Sequence, residues 1–253
     1  MYLPADLQEL ISYLLHKVRN TSEHTVTPLE RMSLYKAFGP TTYPASYEET
    51  KALIEKGENN FLELTNADLA FGWLCLITAR KVLPFWEKAL AESEQAQKYF
   101  GLSFTASMLD LAKSVLEGTT NIQEAFHDAT YGIWYNLSGQ YSLYLTDSAI
   151  FARASAYSAL CLVFLGPAGI DYKGTHNVLT EDKYIPMTSK DFALWAVKAY
   201  SVIDEKERLF QSYSEAYTHT LNLQYNNQKR REFWEWWLTV AIPQAWKLAD
   251  TSR

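Results

Sequence analysis

The stretch from Asn66 to Leu90, NADLAFGWLCLITARKVLPFWEKAL, decides the fold. It is too long for a strand, and apolar residues occupy much of its helical circumference rather than one stripe. That pattern predicts a helix at the centre of a bundle. Pro84 is expected to kink or break it, because an internal proline removes an amide donor and clashes with the carbonyl four residues back.

Helical signals continue on both sides. Leu7, Leu10, Ile11, Leu14, Leu15 and Val18 keep the three-four spacing of one buried face, with Asp6 placed as N-cap. Thr27 and Pro28 suit the N-cap and first position of a helix from Leu29 to Phe38, stopped by Gly39 and Pro40. Ser46 with Glu49 reads as a capping box opening a helix that Gly57 closes. Beyond the central stretch, helices are predicted over Ser93 to Phe100, Ser103 to Leu116, Asn121 to Leu137 and Asp147 to Leu165, with Gly118, Gly139 and Gly166 at the joints. Ser189 is expected to cap a helix through about Ile203. Asp204 then starts another through the tyrosine-rich QSYSEAYTHTLNLQY, and a final helix, bent at Pro243, carries four tryptophans. No segment alternates with the period of a sheet, and no repeat or low-complexity linker divides the chain. The expectation is an all-α fold, a single-domain multi-helix bundle over residues 1–253 with a long loop near residues 166–187.

Composition bounds the function. Hydrophobic residues make up 48% of the 253, aromatics 15% and charged residues 21%, which excludes a disordered chain. Twenty-nine acidic against 23 basic residues leave a formal charge of -6, which opposes nucleic acid and anionic membrane and favours a basic partner. Cys75 and Cys161 sit in apolar helical runs and read as small hydrophobes in a reducing compartment, with one buried bridge as the alternative. MYLPADLQEL lacks the features of a signal peptide, and the longest apolar run, near Leu160 to Ile170, is interrupted by glycine and proline. The expected place is the cytoplasm, with no membrane contact.

Chemistry-bearing constellations are sparse. Glu124 and His127 form one E-x-x-H, half of a di-iron bundle motif, but Glu215 and His219 have the wrong spacing to complete it, so no metal and no cofactor are expected. There is no nucleophile elbow, phosphate loop or activated cysteine, and no catalytic residue is assigned. Charge is more informative. Glu48, Glu49, Glu55, Glu58, Glu63 and Asp68 lie close along the chain with only Lys51 and Lys56 among them, and Glu87, Glu92 and Glu94 extend the bias. Such a run is either a solvated helix face or an acidic patch that steers a basic partner. The loop supplies Asp171, Glu181 and Asp182 as a further candidate contact. Lys229, Arg230 and Arg231 are too few for a nucleic-acid site. Trp234, Trp237 and Trp246 fall on similar faces of the last helix while Trp236 points elsewhere, so most of the cluster is expected in the core.

Two segments also carry a resemblance. ARKVLPFWEKA, Ala79 to Ala89, and REFWEWWLTVAIPQAW, Arg231 to Trp246, resemble, in the order expected, a bacterial immunity-protein family found beside polymorphic toxin genes, the one numbered five in that series. The chain between them reads as mostly helical, and the overall length is comparable to the family's. The resemblance implies a protein that binds and neutralises a cognate toxin domain without catalysis, and a characteristic arginine for which Arg80, Arg153 and Arg231 are candidates. Two other readings remain at the level of sequence: a helical small-molecule binder with an aromatic-lined cavity, and a helical enzyme built around the E-x-x-H.

Overall fold

In the computed structural model, the residues described are 2–43, 49, 52–53, 56, 64–94, 97, 104–120, 143–167, 191–203, 208–210 and 223–251. The central prediction holds. Helix α3, Asn66–Glu92, is the hub, packed against α4 (Phe104–Leu116), α5 (Asp147–Leu165), α6 (Phe192–Ser201) and the C-terminal α8 (Ile242–Thr251). Leu69, Phe71, Trp73, Leu74, Leu76, Val82 and Trp86 are all buried, so α3 meets neighbours on most of its circumference. Close approach is secured at Gly72, where a Cβ would lie 2.6 Å from Leu116 of α4.

Pro84 does not break α3. Its missing amide removes the donor for the Arg80 carbonyl, and both Arg80 and Pro84 are exposed, so the loss falls on the solvent side of the helix rather than in the core.

At the N-terminus, α1 (Ala5–Asn20) buries Leu7, Leu14 and Val18, as the spacing predicts, but its N-cap is Pro4 rather than Asp6, which lies in the first turn. Helix α2 (Pro28–Ala37) opens on a reciprocal cap. The Thr27 amide donates to Glu30 Oε2 at 2.7 Å, the Glu30 amide donates to Thr27 Oγ1 at 3.4 Å, and Pro28 occupies the first helical turn. The last helical stretch begins as α7, Asn227–Trp236, passes through one π-helical turn, Trp237–Ala241, and continues as α8. The Ile242 amide donates to the Trp237 carbonyl five residues back. That shift comes just ahead of Pro243, whose ring no regular α-turn accommodates without clash, and so gives the bend expected there a specific form.

Sequence and structure part in three further places. Arg208–Phe210, assigned to a helix, instead forms a strand, β2, paired antiparallel with β1 (Leu143–Leu145) in the register Leu143↔Phe210, Tyr144↔Leu209 and Leu145↔Arg208. Three residues are too few to show period-two alternation, so the ribbon leaves no signature; the fold class remains all-α. Asp191 caps α6 in place of the expected Ser189, its Oδ1 accepting from the Leu194 amide at 3.0 Å. The third difference concerns apolar runs: α3 and α5 are long and apolar enough to span a bilayer by length and composition, with 72% and 78% of their apolar windows buried inside the protein. The helices expected at Asn121 to Leu137 and over the tyrosine-rich segment, and most of those at Ser46 to Gly57 and Ser93 to Phe100, lie outside the described residues, as does the loop beyond Pro167.

Candidate functional site

The carboxylate of Asp68 is the first correction to the acidic stretch. It is 1% exposed and spent entirely on structure. Its Oδ2 accepts the amides of Thr65 at 2.9 Å and Thr42 at 3.1 Å, together with the Thr42 hydroxyl at 2.8 Å, while Oδ1 accepts the Thr41 hydroxyl at 2.6 Å. One residue thus caps α3 and ties residues 41–42 to residue 65, closing the base of everything between them. Its charge is unavailable to a partner. Of the remaining stretch, Glu49 is exposed on a short helical piece, and Glu48, Glu55, Glu58 and Glu63 lie outside the described residues, as do Asp171, Glu181 and Asp182.

Tyr43 leads from that base to α5. Its buried hydroxyl donates to the Val163 carbonyl at 2.7 Å, satisfying one of the open acceptors at the C-terminus of α5. The side chain packs against Gly166, where φ is 62° and ψ is -171°, and a Cβ there would fall 2.3 Å from Tyr43 Cγ. Burial, then the charges of Asp68 and Cys75, push the Tyr43 phenol far above its ordinary range, so it remains a neutral donor. Tyr43, the last described residue before the acidic stretch, and Gly166, close to the last described residue before the expected loop, are therefore in contact.

A second buried centre secures the other end of the loop. Arg31 of α2 and Asp191 are each fully buried; Nη2 and Nε of the guanidinium donate to Oδ2 at 2.6 and 3.0 Å, Nη1 donates to the Val26 carbonyl, and the plane lies 5.6 Å from the Trp234 ring centre. Neither residue was singled out in the sequence. The signal for Arg31 was present, since it lies on the same helical face as buried Leu34 and Tyr35.

The tryptophan cluster meets this centre through Trp234. Trp234 and Trp237 are fully buried and meet edge-to-face at 5.3 Å, and the Trp237 indole donates to Thr78 of α3 at 2.9 Å. Trp236 is half-buried and Trp246 half-buried against Phe38. The arginines suggested by resemblance have lesser settings. Arg80 pairs with Asp110 at 2.5 Å on the surface, and Arg231 shares Glu235 with Arg19 at 2.9 and 3.1 Å. Arg153 lies over Trp86 at 5.5 Å, enclosed enough that desolvation pushes its pKa down to about 10.

Reactive chemistry has little footing. Cys75 and Cys161 are both buried and free, which removes the bridge alternative, and burial followed by the nearby Asp191 charge pushes the Cys75 thiol well up. Among the described residues no group of three metal-ligating side chains converges. Glu124, His127, Glu215 and His219 lie outside them.

The described residues thus form a buried core in which Asp68, Tyr43 and Gly166, and the Arg31–Asp191 pair, are each held by hydrogen bonds or close packing. Comparison by family agrees with the resemblance: the profile of the immunity protein family Imm5 matches residues 11–244. The chain belongs to the Imm5 family of immunity proteins. A comparison with curated proteins finds no match. The Imm5 match begins within α1 and ends in α8, so it takes in Arg31, Asp68, Asp191 and the whole tryptophan cluster except Trp246.

Proposed function

We propose that this Imm5 protein acts in the cytoplasm, where it binds a cognate toxin domain and neutralises it by occupancy, without turnover. The match to an immunity family over residues 11–244 carries the reading. The contact face is assigned to two acidic segments: Glu48, Glu49, Glu55, Glu58 and Glu63 on one, Asp171, Glu181 and Asp182 on the other. The Tyr43–Gly166 contact supports treating them as one face, and the net charge of -6 supports a basic partner. Complementary charge chiefly raises the association rate and rejects wrong partners.

Association kinetics test this, measured against the domain of the proposed cognate toxin. The combined Glu55→Lys and Glu58→Lys variant should associate more slowly than wild type, and the wild-type rate should fall as salt is raised. Stability should change by no more than about 0.5 kcal/mol, the usual range for exposed charges. Equal association rates for variant and wild type would remove this face from the interface.

A further inference from the structure

Among the described residues Lys81 and Lys198 each lie over two aromatic rings, and of the two Lys81 is the exposed one. Lys81, exposed on α3, places its ammonium 5.1 Å from the ring centre of Trp236 and 5.6 Å from that of Tyr200. Both rings are half-buried, and they continue an aromatic chain whose inner members, Phe233, Trp234 and Trp237, are sealed in the core. Phe85, one turn along α3 from Lys81, meets Tyr200 edge-on, and Val240, one turn beyond Trp236, is 46% exposed.

The polar inventory of this patch is one-sided. Among the described residues, Lys81 has no carboxylate within 4.0 Å, while Arg80, next to it in sequence, and Arg19 and Arg231, far from it in sequence, all have one. Among the described residues the Trp236 indole N–H and the Tyr200 hydroxyl have no hydrogen-bond partner either, and both residues are half-buried. An ammonium and an indole N–H only donate, so among the described residues the patch lacks an anionic acceptor. The rings restrict Lys81 before any partner arrives, which reduces the entropy lost when it is engaged. Tryptophan and tyrosine around a charged centre, with an apolar margin, is the composition of an interface hot spot.

We propose that Lys81, Tyr200 and Trp236 form a second contact for the toxin domain, receiving an acidic side chain that is flanked by apolar residues. The proposal rests on the toxin-binding reading for the identity of the partner, but uses a different face and the opposite charge. Nucleic acid would also bring anions to a lysine between rings; the overall negative charge of the chain opposes a phosphate backbone.

The test uses the full chain and the domain of the proposed cognate toxin. Lys81→Met keeps the stem over the rings and removes only the charge, and Lys81→Glu reverses it. Dissociation should be about tenfold faster for Lys81→Met and faster still for Lys81→Glu, with unchanged thermal midpoints, as expected for an engaged hot-spot charge. Wild-type dissociation in both variants, while the Glu55→Lys and Glu58→Lys change still slows association, overturns this contact and leaves the toxin reading intact. Absence of any binding by wild type overturns both. Binding of single-stranded DNA that disappears in Lys81→Met would replace the protein partner with a nucleic acid and overturn the proposal.

Discussion

Replacing Arg31 with methionine should unfold this protein more readily than any surface change of equal size. The guanidinium is fully buried, makes two short bonds to Asp191 and one to the Val26 carbonyl, and faces Trp234. Removing it strands the Asp191 carboxylate in the core, where a lone charge destabilises a protein by about 3–5 kcal/mol. In a chain of this length each kcal/mol lowers the thermal midpoint by about 2–4 °C, so a fall of roughly 6–20 °C is expected. Asp191→Asn leaves the opposite charge stranded and should be similarly damaging, although the Leu194 amide keeps a capping acceptor. The double variant separates charge pairing from packing. With both charges gone it should be more stable than the sum of the two single losses allows, by more than about 1.5 kcal/mol, since coupled residues depart from additivity on that scale. Urea denaturation of all four proteins measures the cycle. Additive losses, or an Arg31→Met loss below about 1 kcal/mol, would show that the pair is not the closed, desolvated unit the geometry describes.

Other outcomes follow from the buried contacts around Tyr43 and Gly166. Gly166→Ala should destabilise by several kcal/mol, about 1–3 from forcing alanine into a backbone conformation open essentially only to glycine and about as much again from a Cβ driven into Tyr43; circular dichroism melting will show it. Stability should be fully present below the ordinary tyrosine range, about pH 10, and be lost as pH rises above it, because unfolding releases a phenol that the native state holds neutral. Tyr43→Phe should flatten that alkaline limb, and a wild-type profile flat to pH 11 would contradict the assignment. Cys75 should react with a thiol reagent only at the rate of unfolding, whereas rapid modification of native protein would place its sulfur in a reactive setting.

The parts of the fold written in local periodicity could be read from the chain. The hub at Asn66 to Leu90, the cap at Thr27 with Pro28, the stop at Gly166 and the burial of Trp234 and Trp237 each depend on residues within a few turns of one another. Asp68 was legible too, since Thr65 with Asp68 before an apolar run is a capping-box pattern. Its acidity drew it into the surface stretch instead. Features that depend on distant partners left no such trace: Asp191 meets Arg31 across 160 positions, and the β1–β2 ribbon joins two segments of three residues each. Lys81 looks like any solvated lysine until α6 and α7 bring Tyr200 and Trp236 beside it.

The most direct test of the whole account is a titration of toxin activity. The purified domain of the proposed cognate toxin is assayed against increasing amounts of the full chain, with incubation time varied. Neutralisation by occupancy predicts that activity falls linearly to zero at a fixed molar ratio that does not change with time, and returns when the complex is dissociated. Loss of activity at a small fraction of that ratio, deepening with incubation and not recovered on separation, would mean that the chain inactivates its partner by turnover and would contradict the account.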